Sequence, residues 1–261
     1  GKLLTGGTVD STVAMLEGLR VDALGVNCGL GPVQMKPIIK RLTEVSSLPI
    51  VVNPNAGLPR SENGTTVFDI DAEEFATLMG EIAGMGVHAL GGCCGTTPAH
   101  ISKMIEVCRK KPFAAPVPKH RTVVSSFSQT VEIGPKPVII GERINPTGKS
   151  KFKAALRENN IEYILGEGMA QEDSGAHILE PLMIERVVTR LQSVIALPLQ
   201  IDTSNTEAME RGMRLYNGKP MINSVSGKME SMEAVFPLVR KYGGVVVGLA
   251  LDENGIPATA E

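Results

Sequence analysis

Four cysteines occur among the 261 residues, and two of them are adjacent. Cys93 and Cys94 lie in the stretch Gly91-Gly92-Cys93-Cys94-Gly95-Thr96-Thr97-Pro98. Glycines on both sides let the backbone turn sharply and leave the thiols uncovered. Thr97 and Pro98 read as an N-cap and a first helical residue. The thiols therefore lie near a helix N-terminus, where negative charge is favoured. Thiolates are nucleophiles and metal ligands, and zinc is the metal they suit best. A third cysteine, Cys28, ends the apolar run Val21 to Val26 and meets Gly29. The run before the pair is Val87 to Leu90. If both runs are parallel strands of one sheet, three thiols meet at one edge. They leave a fourth tetrahedral position open, as a catalytic zinc requires. The plainer alternative is a pair of inert buried thiols. A vicinal disulfide is disfavoured by strain. Cys108, among apolar neighbours in a helical stretch, reads as core.

The elements that must position these residues follow a rhythm. Helical spacing marks Thr8 to Leu19, Pro37 to Thr43, Ala72 to Met85 and Pro98 to about Arg109. Asp71 reads as the N-cap of the third. Short apolar runs at Val21 to Val26, Leu48 to Val52 and Val87 to Leu90 read as parallel strands covered by helices. Each ends in small polar residues: Asn27-Cys28, Asn53-Pro54-Asn55, then the cysteine pair. In a β/α barrel that end of the strands carries the active site.

The following stretch is rich in proline and serine and reads as a linker, with a short strand near Thr122 to Val124. His120 and Arg121 in it read as solvated. The rhythm then resumes. Strands are expected at Pro137 to Ile140, Ala176 to Leu179, Leu197 to Ile201, Met221-Ile222 and Val245 to Leu251. Helices are expected over Lys151 to Asp173, Pro181 to Leu191, Thr206 to Leu215 and Met232 to Tyr242. Glu142, Asn145, Asp202, Asn205, Asn223 and Asp252 cluster where these strands stop. Such a set suggests a site lined with hydrogen-bonding groups, although capping and turn roles explain part of it.

Composition excludes several classes. Hydrophobic residues make up 43% and charged residues 21%, which is ordinary for a globular protein. A net charge of -2 gives no electrostatic case for nucleic acid or an anionic membrane. No apolar run is long enough to span a bilayer. The chain start lacks the pattern of a signal peptide. The cysteines do not form a secreted disulfide framework, and a reducing cytoplasm is the expected compartment.

Gly-Gly-Cys-Cys-Gly-Thr-Thr-Pro, with an upstream Asn-Cys-Gly at a strand end, resembles the zinc motif of homocysteine S-methyltransferases. The resemblance implies Cys28, Cys93 and Cys94 as zinc ligands, with the homocysteine thiol taking the fourth place. Asn27 and Asn55, beside these loops, are the residues expected to orient homocysteine. Gly-Glu-Arg-Ile-Asn-Pro-Thr-Gly from Gly141, Ile-Asp-Thr-Ser-Asn from Ile201 and Ile-Asn-Ser-Val-Ser-Gly from Ile222 resemble the pterin-binding barrel of folate-dependent methyltransferases. That resemblance implies methyltetrahydrofolate as substrate. Glu142, Asn145, Asp202 and Asn223 would fix the pterin ring, and Asn205 would act catalytically near N5. The order of the two modules resembles the cobalamin-dependent methionine synthases.

The resemblance implies two (β/α)8 barrels of TIM type, each incomplete. Residues 1–113 would be the later part of the zinc barrel, 114–134 a linker, and 135–261 the earlier part of the pterin barrel. Such a piece by itself is expected to be unstable, because open sheet edges and apolar surface are exposed. The family's pterin-contacting Asp-x-Asn pair, expected after Leu179, is missing: Glu180-Pro181 follows at once. The Asp-x-His-x-x-Gly signature of a cobalamin module is also missing, so the corrinoid must come from another domain or protein. Two rival readings remain. One is a cobalamin-independent homocysteine methyltransferase using a sulfonium donor. The other is a non-enzymatic zinc module, which would need a fourth protein ligand such as His88 or His100.

Overall fold

A computed structural model of the chain describes residues 2–3, 6–145, 149–180 and 185–259. The start of the helix expected at Pro181 and the end of the Gly141 to Gly148 motif lie outside the described residues. The chain forms two compact units. One spans Val21–His120; the other joins Lys2–Arg20 to the chain from Arg121 onward. The first helix, α1 (Val9–Gly18), thus belongs to the second unit.

The first unit is built on a parallel sheet of three strands: β1 (Leu24–Asn27), β2 (Ile50–Asn53) and, further along the chain, Ala89–Leu90. Helix α2 (Pro32–Val45) connects β1 to β2. A hairpin, β3 (Arg60–Glu62) and β4 (Thr65–Val67), and helix α3 (Ala72–Ala83) precede β5 (Ala89–Leu90). Helix α4 (Pro98–Cys108) follows. The core is filled at helical spacing by Met35, Ile39 and Leu42 of α2 and Phe75, Met79 and Ile82 of α3. Leu24, Ile50 and Val52 of the sheet are buried as well. Each such side chain contributes about 1.5–3 kcal/mol when fully buried. Asp71 caps α3, its Oδ1 accepting from the amides of Glu73 and Glu74, both at 2.9 Å. Gly25 is required on β1, since a Cβ there would lie 1.8 Å from the Val51 carbonyl oxygen.

The second unit begins, after Arg121, with a hairpin that the sequence reading marks only as a short strand in a linker. Its strands are β6 (Thr122–Ser125) and β7 (Thr130–Ile133). Arg121 is not simply solvated, because it forms an ion pair with Glu132 at 2.6 Å. The hairpin is anchored by α1, whose Ser11 hydroxyl donates to the Phe127 carbonyl at 2.9 Å. It is also anchored by buried Tyr216, which donates to the Ser125 carbonyl at 2.9 Å.

Five short parallel strands follow with their helices: β8 (Ile140–Gly141), β9 (Ile178–Leu179), β10 (Gln200–Asp202), β11 (Met221–Ser226) and β12 (Val245–Leu249). β8 pairs with β9, a parallel bridge from Leu179 to Leu199 continues to β10, and β10, β11 and β12 pair in order. The single helix expected over Lys151 to Asp173 is two, α5 (Ser150–Arg157) and α6 (Ile161–Asp173). Asn159 adopts a left-handed conformation between them, with φ 57°, which ends the first helix. The remaining helices are α7 (Glu185–Leu191), α8 (Thr206–Leu215) and α9 (Met229–Tyr242). Their apolar faces meet Leu179, Ile201 and Ile222 in one core. Among the described residues the chain is therefore mixed α/β with open parallel sheets, and neither sheet closes into a barrel. No described helix is long and apolar enough to cross a membrane.

Candidate functional site: a thiol cluster and a carboxyl cluster at strand ends

The parallel pairing of β1, β2 and β5 puts their C-terminal ends at one edge, and the chain turns there three times. After β1, Cys28 takes a left-handed conformation with φ 62°, its amide donating to the Asn53 carbonyl at 2.9 Å. After β5, the Cys93 amide donates to the Pro54 carbonyl at 2.8 Å. The Ala56 amide then donates to the Cys94 carbonyl at 2.9 Å. These backbone bonds lace the two cysteine loops to the loop after β2. Gly95, at φ 79°, completes the turn, since a Cβ there would lie 2.4 Å from the Phe68 ring.

The outcome is a compact group of sulfurs. Cys28 Sγ lies 3.6 Å from Cys94 Sγ, and Cys93 Sγ lies 3.9 Å from Cys94 Sγ. All three lie within 4.8 Å of one another. Three thiolates bound tetrahedrally at a zinc–sulfur length of about 2.3 Å stand about 3.8 Å apart, so this cluster fits zinc. Cys94 is exposed and the other two are partly exposed, which leaves access for a further ligand. The thiols are also electrostatically unequal. Hydrogen bonds from the Cys93 side chain, the Gly29 backbone, Cys94 and Asn55 hold the Cys28 thiol below its ordinary value. Hydrogen bonding and charge from Cys28 and Cys93 push Cys94 up to about 11. A metal ion would relieve that mutual repulsion.

The polar residues around the cluster divide. Asn55 is only 3% exposed, and its Oδ1 accepts from the Cys94 amide at 3.1 Å. The side chain thus fixes both Cys94 and Cys28. Asn27 is exposed at the end of β1, in register with Asn53. Among the described residues neither histidine considered as a fourth ligand is grouped with the three sulfurs. His88 Nδ1 accepts from the Ile50 amide at 3.0 Å, while His100 bonds to Thr97 at 2.8 Å and to the Ile70 carbonyl at 3.0 Å. Cys108 is half-buried in α4 with its thiol pushed up by burial, and it stands outside the cluster.

The second unit repeats the arrangement with different chemistry. Asn145, past the end of β8, donates through Nδ2 to Glu180 Oε1 and to Asp202 Oδ2, each at 3.0 Å. Asn223 stands beside Asp202 in the β10–β11 register. Glu142 is exposed, its carbonyl accepting from Lys149 Nζ at 2.9 Å. Asn205 caps α8, its Oδ1 accepting from the Ala208 amide at 2.9 Å. The structure therefore joins Asn145 to Asp202 and places Asn223 next to them, while Glu142 and Asn205 have surface positions.

One correction follows. The sequence reading finds the carboxylate after Leu179 missing, yet Glu180 supplies a carboxyl group there. It is 7% exposed and accepts hydrogen bonds from Asn145 and from the Gln200 side-chain amide. Burial, then its hydrogen bond with Asp202, push its pKa up to about 7 against the pull of Asn145. The signal was available: Glu180 follows Leu179 just as Asp202 follows Ile201, both at strand ends.

Comparison with known proteins finds a likeness for each part of the chain. Residues 1–108 match the family model of homocysteine S-methyltransferase, and residues 182–260 match that of pterin binding enzyme. Over its whole length the chain is similar to methionine synthase of Mycobacterium leprae (strain TN), at 31% identity, covering 24% of that protein. It is also similar to methionine synthase of Mycobacterium tuberculosis (strain ATCC 25618 / H37Rv), at 29% identity, covering 23%. The chain thus spans about a quarter of the length of the curated relatives it matches.

Proposed function

We propose that this chain is part of a methyltransferase that moves a methyl group from 5-methyltetrahydrofolate, by way of cobalamin, to homocysteine, forming methionine. The observation that carries the reading is the meeting of Cys28, Cys93 and Cys94 within 4.8 Å at the ends of neighbouring parallel strands. The two family matches, in this order, support it. The two open parallel sheets would be parts of two (β/α)8 barrels, with the zinc part within 1–113, the pterin part within 135–261, and the β6–β7 hairpin in the stretch 114–134 between them. A cytoplasmic location goes with this reading, since the site needs reduced thiols.

Cys28, Cys93 and Cys94 would hold zinc, which keeps a substrate thiol deprotonated and hence nucleophilic at neutral pH. Asn55 holds the Cys94 loop in place, and Asn27 lies exposed where the amino-acid part of homocysteine would be received. In the second unit, Asn145, Asp202 and Asn223 would take the pterin ring, with Glu142 at the rim. Asn205 would stand near N5, where a proton must be supplied before the methyl group can leave. The residues do not fit cobalamin, since its Asp-x-His-x-x-Gly signature is missing from the chain. The corrinoid would be held by a separate domain or protein, and this chain would act at both ends of the relay.

The direct test is metal content. The chain should bind zinc stoichiometrically, and X-ray absorption should show an added zinc–sulfur contact when homocysteine is supplied. Cys94→Ser should lose most of the zinc. Unchanged zinc content in that variant would remove the central assignment.

A further inference from the structure

A cavity of about 410 Å³ is lined by the loop that leaves β8, the start of α5 and the first half of α6. Its charge is basic: Arg143, Lys149 and Lys151 stand against one acid, Glu167. Among the described residues none of the three cations belongs to an ion pair, so Glu167 neutralises none of them. Like charges gathered without a counter-ion repel, and an anion placed among them relieves the repulsion. The cap residue of α5, Lys149, makes no side-chain cap bond, which leaves the amides of the first turn as further donors. The lining is also aromatic. Phe152 is 2% exposed and Tyr163 37%, with their ring centroids 6.3 Å apart.

The cavity adjoins the polar strand ends. The Glu142 carbonyl accepts from the Asn145 amide at 3.1 Å and from Lys149 Nζ at 2.9 Å. Those two nitrogens therefore stand no more than 6.0 Å apart, the two bonds laid end to end. The loop is also rooted on α6, because the Arg143 amide donates to Gln171 Oε1 at 2.7 Å. One short loop thus holds the Asn145 side chain against Asp202 and turns its cations to the cavity. A ligand gripped at Asn145 meets the Lys149 ammonium as it leaves the strand ends.

We propose that this cavity is a carboxylate subsite for the glutamate end of the folate substrate, with Lys149 and Lys151 as its specificity-determining cations and Arg143 as a third. This rests on the pterin reading above. Such a ligand carries a neutral ring, then an aromatic p-aminobenzoyl group, then two carboxylates. The protein offers matching groups in the same order. The ring meets the amide and carboxyl groups at the strand ends, the benzoyl group meets Tyr163, and the carboxylates meet cations and free amides. Asn145, Glu180 and Asp202 supply no positive charge, so the anionic end of the ligand has to be met outside their cluster. Ammonium and guanidinium donors give it charge-assisted hydrogen bonds, which are stronger than neutral ones.

The test compares 5-methyltetrahydrofolate with its diamide, in which neutral amides of the same shape replace both glutamate carboxylates. Dissociation constants are measured by calorimetry on the 261-residue chain and on K149Q/K151Q. The wild type should bind the acid about tenfold tighter than the diamide at low salt, the worth of a charge-assisted hydrogen bond. Concentrated sodium chloride should shrink that advantage. In K149Q/K151Q the two compounds should bind alike. Each protein is its own reference, so a general loss of affinity does not imitate this result. Equal binding of both compounds by the wild type, or an undiminished ratio in the variant, overturns the proposal. If neither compound binds the wild type, the pterin reading fails, and p-aminobenzoylglutamate alone decides the subsite. In the wild type it should shift the NMR amide signals of Ser150, Lys151 and Phe152, and inorganic phosphate at the same concentration should shift them less. No shift, or an equal shift with phosphate, sinks the proposal. This measurement needs no variant, so it decides equally if K149Q/K151Q misfolds.

Discussion

At the scale of single residues, the cysteines are distinguished by their neighbours more than by their exposure. Cys94 is the most open of the three, yet its proton is held hardest, because Cys28 and Cys93 crowd it. Cys28 is less open, yet its thiolate is favoured by four hydrogen bonds. In the metal-free chain, alkylation by iodoacetamide at pH 8 should therefore mark Cys28 before Cys94, as read by peptide mass spectrometry. Exposure alone predicts the opposite order, so labelling of Cys94 first would show that the hydrogen bonds do not govern reactivity. Asn55 shows how a residue's type can be legible while its task is not. A polar residue at a strand end reads as a substrate contact, but burial and a bond to the Cys94 amide make it a brace. Its distance to Cys94 along the chain is 39 residues, so only the folded loops reveal the pair.

At the scale of elements, the two units share a device that the sequence reading passes over. Gly86-Val87-His88-Ala89-Leu90 and Gly175-Ala176-His177-Ile178-Leu179 each lead into a strand. Each glycine has positive φ, 88° and 89°, and turns the chain into the strand. Each histidine accepts, through Nδ1, an amide of the neighbouring segment: Ile50 at 3.0 Å and Ile139 at 3.1 Å. The ring thus satisfies a backbone donor at the end of the sheet remote from the site. Replacing His88 with Leu leaves the Ile50 amide unpaired and should destabilise the first unit by about 1–3 kcal/mol. Urea denaturation should show the loss, while zinc content per folded molecule should be unchanged. Loss of zinc with no loss of stability would contradict a structural role. The pattern is visible as letters, but its meaning is a hydrogen bond between residues 38 apart.

At the scale of the whole molecule, the chain passes between the units twice. It does so at Arg20–Val21 and again at His120–Arg121. Helix α1 belongs with the hairpin β6–β7, although the 100 residues Val21–His120 separate Arg20 from Arg121 along the chain. A cut in the exposed stretch after α4 should therefore leave two pieces that stay together. Limited trypsin digestion at Lys110 or Lys119 should give fragments that co-elute on gel filtration and separate only in denaturant. Free separation under native conditions would show that α1 is not held by the second unit.

The sequence by itself determined the parallel-strand rhythm, the position of the cysteine loops and the polar strand ends, because each is a local signal. Apolar runs of four to six residues, glycine turns and capping residues act within a few positions of the chain. It also marked Cys28, Cys93 and Cys94 as one group, through a motif whose spacing is conveyed by a single sheet edge. Tertiary structure alone decided which distant residues touch. It made a brace of Asn55, transferred α1 to the second unit, formed a hairpin from an apparent linker, and put the Glu180 carboxyl beside Asp202. Those outcomes depend on burial and on hydrogen bonds across tens of residues, which no local pattern encodes.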